Sequence, residues 1–514
     1  MRIGHAIHAL GLFLAWVTAI AGASTEGFAQ SGEPTLPQGL NTPAAEEPSL
    51  PAGLGGGTAE EPALPGGLGD DDPSLPKGLG TAAEEEPSLP GGLGAPAAEE
   101  DVAAAEGEDG FGSETFRLNG FLEGRFGGRL REDAHERDLT LAETRLQLEA
   151  EFLTERAVFH LTGDLVQDVL EDRRTFKPET GHGFLDLREA NAVFSPAGFL
   201  DIKAGRQILT WGTGDLLFIN DLFPKDWVSF FSGRDEEYLK APSDALKASL
   251  FMPWANLDIV YAPRFDPDRF QNGQRISFYN GTLGRVAGRD AVIIAPPPND
   301  WFNDDEWSAR LYRNFGAMEA ALYAYNGYWK SPAGQNPSAG TALFPRLSVF
   351  GASLRGPFWK GIGSAELGYY ASHDDMAGDD PFIRNSEARI LLGYEQELVR
   401  NLTLGVQYYL EHMMDYGAYR RSLPAGSVAA DENHHILTAR LTWLTHNQNV
   451  TWSLFTFYSP SDTDGYLRPK VAYKVNDNVT VEAGGNLFLG RSQATFFGQL
   501  RDNSNIYLSL RYGF

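Results

Sequence analysis

Residues 142–152 read AETRLQLEAEF, and the alternation in this stretch decides the fold. Small or apolar side chains occupy the even positions from Ala142 to Phe152, and charged or amide side chains occupy the odd positions from Glu143 to Glu151. A period of two places successive side chains on opposite faces of an extended strand, whereas helical spacing would scatter the polar residues around the axis. The stretch therefore predicts a β-strand with one apolar face and one charged face.

The same alternation recurs through residues 115–514. Clear examples are residues 116–126, 402–410, 479–487 and 506–514, where Leu, Val, Phe, Tyr and Gly alternate with charged or polar side chains. Counting such segments predicts about 18 strands of roughly ten residues each. The chain is therefore predicted to be all-β over this range.

Short and long connections alternate between the predicted strands. The short connections include residues 195–198, 314–316 and 476–478. The long ones cover residues 168–182, 209–243, 264–304, 327–345, 373–386 and 413–432. Strands of this length, an even count and loops of unequal length at the two edges indicate a transmembrane antiparallel β-barrel. Lipid offers no hydrogen-bond partners, so such a sheet must close on itself, with its apolar face outward and its polar face toward a lumen.

Composition excludes several classes of function. The 514 residues carry 42 Lys and Arg against 69 Asp and Glu, for a net charge of −27, and there is no Cys. Nucleic-acid binding depends on Lys and Arg that displace counterions from phosphates, and no basic tract is present. The absence of Cys excludes disulfides, thiolate metal sites and Cys nucleophiles. We expect no cofactor, because no glycine-rich phosphate loop is present, and no metal site, because the acidic pairs in the loops do not match calcium-loop spacing.

The first 113 residues precede the barrel. Arg2 followed by an uncharged apolar stretch and small residues predicts a secretory signal peptide over residues 1–29. Residues 30–113 contain repeated octamers of the form EPSLPGGL, which begin at Glu33, Glu47, Glu61, Asp72 and Glu86. Pro, Gly and acidic spacers supply too little apolar surface to offset the entropy of ordering, so this segment is predicted to be a disordered acidic linker. It is interpreted either as a solvated spacer or as a multivalent ligand for a periplasmic partner.

The last predicted strand resembles the assembly signal of Gram-negative outer-membrane porins, a family of 16 to 18-stranded barrels. It carries Ile506, Leu508, Leu510, Tyr512 and Phe514 on alternate positions. The resemblance implies that Tyr512 and Phe514 are read by the barrel-assembly machinery and that the barrel lies in the outer membrane, in contact with its lipid. It also implies that the N-terminal segment and the short turns are periplasmic and that the long loops are extracellular or folded inward. Such porins commonly form trimers, so a homotrimer is an implied assembly, with a monomer left open.

The loop after the fifth strand is the predicted constriction of the pore. In porins the corresponding loop folds into the barrel, and residues 209–243 match it in position while being too apolar for a loop lying free in water. The charged candidates in this constriction are Asp215, Asp221, Lys225, Asp226, Arg234, Asp235, Glu236 and Glu237. The candidates on the pore wall are Arg117, Glu123, Arg125, Glu143, Arg145, Lys203 and Lys247. They either form opposed charge ladders that favour dipolar solutes or are ordinary ion pairs of a wet lumen.

The sequence predicts a porin that passes small hydrophilic solutes or ions. The alternative is a barrel that serves as an anchor, with the periplasmic repeats tethering a partner or the cell wall. An outer-membrane enzyme is disfavoured, because nothing in the sequence pairs a nucleophilic Ser with a His. We therefore expect no catalytic residue. The transported solute and the ion preference are not encoded in any recognisable motif.

Overall fold

The computed structural model describes residues 111–113, 115–171, 175–281, 283–425, 427 and 429–514. The predicted signal peptide, residues 1–29, lies outside the described residues. So does the repeat segment, residues 30–113, apart from the three residues at its end.

Eighteen antiparallel strands close into one barrel. They are β1 (Phe116–Arg129), β2 (Leu139–Leu153), β3 (Val158–Asp168), β4 (Leu185–Ala197), β5 (Leu200–Ile208), β6 (Pro242–Phe251), β7 (Asn256–Ala262), β8 (Glu306–Phe315), β9 (Met318–Tyr328), β10 (Arg346–Phe358), β11 (Gly361–Ser372), β12 (Glu387–Val399), β13 (Leu402–Met413), β14 (Asn433–Thr445), β15 (Val450–Ser459), β16 (Asp464–Lys474), β17 (Val479–Gly490) and β18 (Asn505–Gly513). Each strand pairs with the next, and the prediction of about 18 strands in a closed sheet is confirmed.

The first and last strands form the seam of the barrel. β1 pairs with β18 from Phe121 opposite Gly513 to Arg129 opposite Asn505. Beyond the paired residues, the backbone N–H of Phe514 donates to the carbonyl of Gly120, and the N–H of Gly120 donates to the carbonyl of Phe514, each at 3.0 Å. Both edges of the sheet are therefore satisfied by backbone hydrogen bonds, which leaves no open edge along the seam.

The connections differ at the two ends of the barrel, as the sequence predicts. Two to four residues join β2 to β3, β4 to β5 and the following pairs at one end. At the other end the connections are mostly long, and they carry the remaining elements. These are the helices α1 (Trp227–Ser232) and α2 (Tyr416–Ser422), 3-10 turns at Glu236–Leu239, His373–Asp375 and Gly498–Asn503, and short strands at Phe278–Asn280, Arg285–Ala287, Gly334–Asn336 and Thr341–Leu343; a further short strand, Phe111–Ser113, pairs with the start of β1. No helix among the described residues has the length and apolar character needed to span a bilayer.

The two faces of the sheet have opposite character. Outward-facing Leu161, Leu322 and Phe350 leave 53, 58 and 61 % of their surface exposed. Inward-facing Arg125 and Arg468 are each only 2 % exposed. A soluble protein shows the reverse arrangement, since it buries Leu and Phe and exposes Arg. The alternation seen in the sequence therefore sorts apolar side chains to the outside of the barrel and charged ones to its interior.

Candidate functional site

The charged residues predicted for the pore wall lie on the inner face of the barrel. Register brings opposite charges together there, because Glu123 lies opposite both Arg145 and Arg511, and Arg125 lies opposite Glu143. The guanidinium of Arg125 donates to Glu123 at 2.7 Å. Cross-strand pairs of opposite sign stabilise a sheet, whereas like charges would repel.

The remaining predicted wall residues are also paired, but more loosely. Arg145 reaches Glu143 at 3.4 Å and also contacts Asp164. Near the rim with short connections, Arg117 lies 3.8 Å from Glu151, and Arg117 is 44 % exposed. Two lysines complete the set: Lys203 lies 3.8 Å from Glu189, and Lys247 lies 4.0 Å from Asp258. The wall thus carries both signs of charge in local pairs.

The segment between β5 and β6 contacts this inner face through four consecutive charged residues. Arg234 donates to Glu143 of β2 at 2.8 Å, and Asp235 lies 4.0 Å from Arg125 of β1. Glu236 approaches Arg440 of β14 at 3.3 Å and Arg468 of β16 at 3.8 Å, and Glu237 accepts from Arg511 of β18 at 2.7 Å. Asp235 also caps the 3-10 turn Glu236–Leu239 by accepting from the Glu237 N–H at 3.2 Å. A single turn of chain is therefore attached to strands on both sides of the seam.

A second attachment lies at the start of the same segment. The carboxylate of Asp215 accepts from the guanidinium of Arg440 at 2.5 and 2.9 Å. With its side-chain amide oriented to satisfy both groups, Gln407 of β13 donates to the Asp215 carbonyl and accepts from the Asp215 N–H, each at 2.9 Å. Charge-assisted bidentate contacts of this kind are strong and directional. They fix the backbone at Asp215 as well as its side chain.

Two glycines form the seat for the middle of the segment. Gly351 of β10 and Gly368 of β11 are cross-strand partners on the inner face. A Cβ on Gly351 would lie 1.8 Å from Asn220 Oδ1, and a Cβ on Gly368 would lie 2.6 Å from Ile219 Cγ2. Beside them, the buried carboxylate of Glu366 accepts from the Thr213 N–H and from Asn220 Nδ2, the latter at 3.0 Å. Only glycine leaves the room for this close approach.

Aromatic packing completes the contact of the segment with the wall. Helix α1 is capped by Asp226, whose side chain accepts from the Ser229 N–H at 2.7 Å. Its Phe231 ring lies 5.7 Å from Tyr466 of β16 and 5.5 Å from Phe488 of β17. Phe231 is only 2 % exposed, so the apolar residues noted in the sequence are covered. Edge-to-face contacts of this type add to the free energy gained from burying the rings.

Three of the predicted loop charges are satisfied within the long connections. Lys225 donates to Asp221 at 2.9 Å, four residues away. Asp226 contacts Arg269, which lies in the connection between β7 and β8 and also donates to Asp186 of β4 at 2.8 Å. The Asp226–Arg269 pair joins the connection between β5 and β6 to that between β7 and β8, whereas Lys225 and Asp221 pair within one connection. That any of them touches a permeating solute stays a prediction.

The sequence gives no signal for several residues that matter in this site. The Lys225 N–H donates to Asp268 at 2.7 Å, and Arg275 contacts Asp168 at the end of β3. Asp268 and Arg275 both belong to the connection between β7 and β8, for which the sequence predicts only a long loop. Glu366 and Tyr466 lie on strands, and their contacts with residues more than 140 positions away depend on tertiary structure. In the sequence, the only local indication that a strand residue contacts this segment is a charged or aromatic side chain on the lumen face.

Other candidate clusters are separate from this site. His434 lies 3.0 Å from Asp462, whereas His435 lies 2.9 Å from the hydroxyl of Tyr408. Neighbouring residues on a strand point to opposite faces, and these two histidines do so. Within the described ranges, no three His, Asp or Glu side chains are grouped so as to hold a metal ion.

Comparison with known proteins finds solved structures of bacterial channels that are similar to the barrel. No protein-family model and no curated protein matches the sequence. The barrel is similar to OccAB4 of Acinetobacter baumannii, with 10 % identity, a TM-score of 0.47 and coverage of 78 % of this chain and 98 % of that one. It is also similar to OccK3 (OpdO) of Pseudomonas aeruginosa, with 9 % identity, a TM-score of 0.45 and coverage of 78 % and 95 %. The outer membrane channel DcaP of Acinetobacter baumannii matches at 11 % identity and a TM-score of 0.39 over 79 % and 99 %.

The chain shares with these channels a closed barrel of antiparallel strands. The likeness is one of barrel architecture, at identities that carry no information on residues or solutes.

A buried carboxyl outside the barrel wall gives a prediction about pH. Glu136, in the connection between β1 and β2, is 2 % exposed and lies 3.7 Å from Arg289. Burial raises its pKa from 4.5 to about 7, although Arg129 and Arg289 oppose the shift. Because the pKa is raised in the folded state, the carboxyl contributes stability below pH 4.5 that is lost as pH rises through 7.

We therefore expect residues 130–138 to open more readily at pH 7.5 than at pH 5. Amide hydrogen exchange of this connection, corrected for the intrinsic dependence on pH, measures the effect. Glu136→Gln should remove the difference between the two pH values. A difference that persists in this variant would show that Glu136 is not its source.

Proposed function

We propose that the protein is an outer-membrane channel through which small hydrophilic solutes or ions diffuse, with residues 209–243 lying in the lumen as its constriction. The observation that supports this most is the pattern of contacts of that segment. Arg234 to Glu237 bond to inward-facing charges on β1, β2, β14, β16 and β18, and Asn220 bonds to Glu366 of β11. A segment that reaches inward-facing residues on such widely separated strands lies across the interior.

The outer surface supports a place in a membrane. Its exposed Leu, Ile, Val and Phe would be costly in water, while lipid accepts them. Exposed Trp254, Trp359, Trp443 and Trp452 lie at or near the short connections, where an interfacial aromatic belt of a membrane barrel would be. By the likeness to porins, these connections and the segment before β1 face the periplasm of a Gram-negative cell.

Planar-bilayer recording of the refolded protein tests the channel. We expect stable but small open steps, because the constriction segment fills much of the lumen that an 18-strand barrel would otherwise leave open. We also expect a small reversal potential in a KCl gradient, since Arg125, Arg234 and Arg440 are each paired with carboxylates and expose little net charge. A folded barrel that never opens would contradict the proposal.

Deleting residues 30–112 separates the channel from the anchoring alternative. We expect conductance to be unchanged by this deletion, because the barrel begins at Phe116. Loss of envelope integrity together with unchanged conductance would assign a tethering role to the repeats in addition to the pore.

The contribution of Tyr512 and Phe514 to assembly can be measured as the folded yield of variants at these positions.

A further inference from the structure

A recess in the inner wall lies beside the constriction segment, toward the end with short connections. Its upper row is set by register across five neighbouring strands. Arg355 of β10 pairs with Ser364 of β11, which pairs with Gly393 of β12, then Gln407 of β13 and Thr438 of β14. Since these residues are cross-strand partners, their side chains point to the same face, and that face is the lumen.

A second row lies two residues closer to the short connections. It runs from Ile362 of β11 to Glu395 of β12, Gly405 of β13 and Arg440 of β14. Gly405 leaves open space in this row, since a Cβ there would meet only Glu395 Cγ at 4.0 Å, whereas Ser364 Oγ occupies the space beside its diagonal neighbour Gly393. The recess is a cavity of about 40 Å³, lined also by Thr213 and Asp215 of the constriction segment. This space holds a few waters or part of a small solute.

Arg355 and Glu395, which line the recess, differ in their pairing from several other charged residues on the inner wall. Arg125, Arg234 and Arg440 each contact a carboxylate within 3.0 Å. Among the described residues, by contrast, neither Arg355 nor Glu395 forms an ion pair or a side-chain hydrogen bond. Both are only partly exposed. The cross-strand neighbour of Arg355, Glu319, bonds to Arg310 at 2.8 Å, so Arg355 and Glu395 face the recess without forming an ion pair.

The unpaired charges are of opposite sign and share one cavity. Arg355 and, more weakly, Arg440 attract Glu395 electrostatically and Asp215 repels it, although neither guanidinium forms an ion pair with it. In a structural ion pair the two groups would be in contact, as Arg125 and Glu123 are at 2.7 Å. A cation and an anion held apart in a polar cavity match a solute that carries both charges. Ser364 lies on the strand between them, and Gln407 and Thr438 line the recess on the far side of Glu395, each with a group that can hydrogen-bond.

We propose that this recess is a binding site for small zwitterions, with the solute carboxylate on Arg355 and its ammonium group on Glu395. The inference rests on the proposed channel function and specifies the solute class for it. A guanidinium binds a carboxylate through two parallel hydrogen bonds, and a single carboxylate suffices for an ammonium group. A neutral solute of the same size gains neither contact.

The test compares two isomers in liposome-swelling assays with the full refolded protein. Glycine is a zwitterion, whereas glycolamide has the same atoms and no charge. We expect glycine to enter several-fold faster than glycolamide through the unmodified protein. Arg355→Gln and Glu395→Gln should each abolish this preference and leave glycolamide entry unchanged. Arg491→Gln is the matched control, since it removes one positive charge from an exposed position outside the barrel wall.

Each result bears on one of the two ideas. Equal entry of glycine and glycolamide through the unmodified protein would overturn the zwitterion site and leave the channel standing. Entry of neither isomer through a folded barrel would contradict the channel itself. An equal loss of preference in Arg491→Gln would assign the effect to net charge, against the proposed site. If Arg355→Gln does not fold, Arg355→Lys is the substitute, because it keeps the charge and should retain part of the preference for glycine. Two results together would overturn the proposed pairing. They are loss of the preference in a folded Arg355→Lys and retention of the preference in Glu395→Gln.

Discussion

Replacing residues 213–238 with a short Gly-Ser linker is expected to raise the single-channel conductance several-fold. The linker removes the chain that bonds to Glu366, Glu143 and Arg440 and takes α1 away from Tyr466. Strand side chains alone cannot fill the lumen of a barrel of this size, so water and ions would occupy the vacated space. The charges that lose their partners would be hydrated by this water.

The control for this variant shortens a connection at the same end of the barrel. Residues 416–430 contain α2, and the described side chains of Tyr416 and Tyr419 bond to Ala430 of the same connection. Its replacement by an equivalent linker should leave the conductance close to that of the unmodified protein. Both variants must first show the heat-sensitive electrophoretic migration of a folded barrel. An unchanged conductance after removal of residues 213–238 would show that this segment does not limit the current.

Arg234→Met is expected to cause the largest loss of stability of any single substitution considered. The Arg234 guanidinium donates to Glu143 at 2.8 to 3.0 Å, and both side chains are almost fully buried. Removing one partner of a buried ion pair typically costs about 3–5 kcal/mol. Glu143 would keep only its longer contact with Arg145, at 3.4 Å, so most of the compensation of its buried charge would be lost. Denaturant unfolding in lipid vesicles measures this loss, and bilayer recordings should show frequent fluctuations as the segment detaches.

A double-mutant cycle separates the ion pair from general packing. Adding Glu143→Leu to Arg234→Met removes the stranded carboxylate, and we expect part of the lost stability to return. Arg145 then keeps its contact with Asp164, so no new unpaired charge is created. As a surface comparison, Arg285→Met removes an exposed pair with Asp290 at 2.8 Å and should cost no more than about 1 kcal/mol. Equal losses for Arg234→Met and Arg285→Met would contradict the role assigned to the buried pair.

The barrel was predictable because its signal is local. In residues 142–152 the polarity of each side chain indicates which face of the strand it occupies. A lipid-facing wall requires this alternation in every strand. The position of the long connection after β5 follows in the same way, from the spacing of strands along the chain. Its apolar residues also predict that it packs against something, and Phe231 does so.

The partners in the site could not be predicted, because they depend on register and on contacts between distant residues. A shift of one residue between β1 and β2 would separate Arg125 from Glu143 and turn one of them outward. The sequence also gives no reason to connect Gly351 with Asn220, although the space left by the glycine is what admits the amide. Asp221 and Lys225 were grouped with the pore charges on sequence grounds, and only the fold shows that they bond to each other.

The seam between β1 and β18 sets the order in which the protein can mature. Strands β2 to β17 pair only with their sequence neighbours, whereas β1 also pairs with β18 at the far end of the sheet, so the barrel cannot close before β18 is in place. Until then the growing sheet has two bare edges, each able to recruit a strand from another chain. The unclosed sheet is therefore most exposed to misassembly until β18 pairs with β1, and the yield of closed barrels depends on how quickly this pairing occurs. A variant that weakens the contact of Gly120 with Phe514 should accordingly lower the yield of closed barrels more than it lowers their stability once closed.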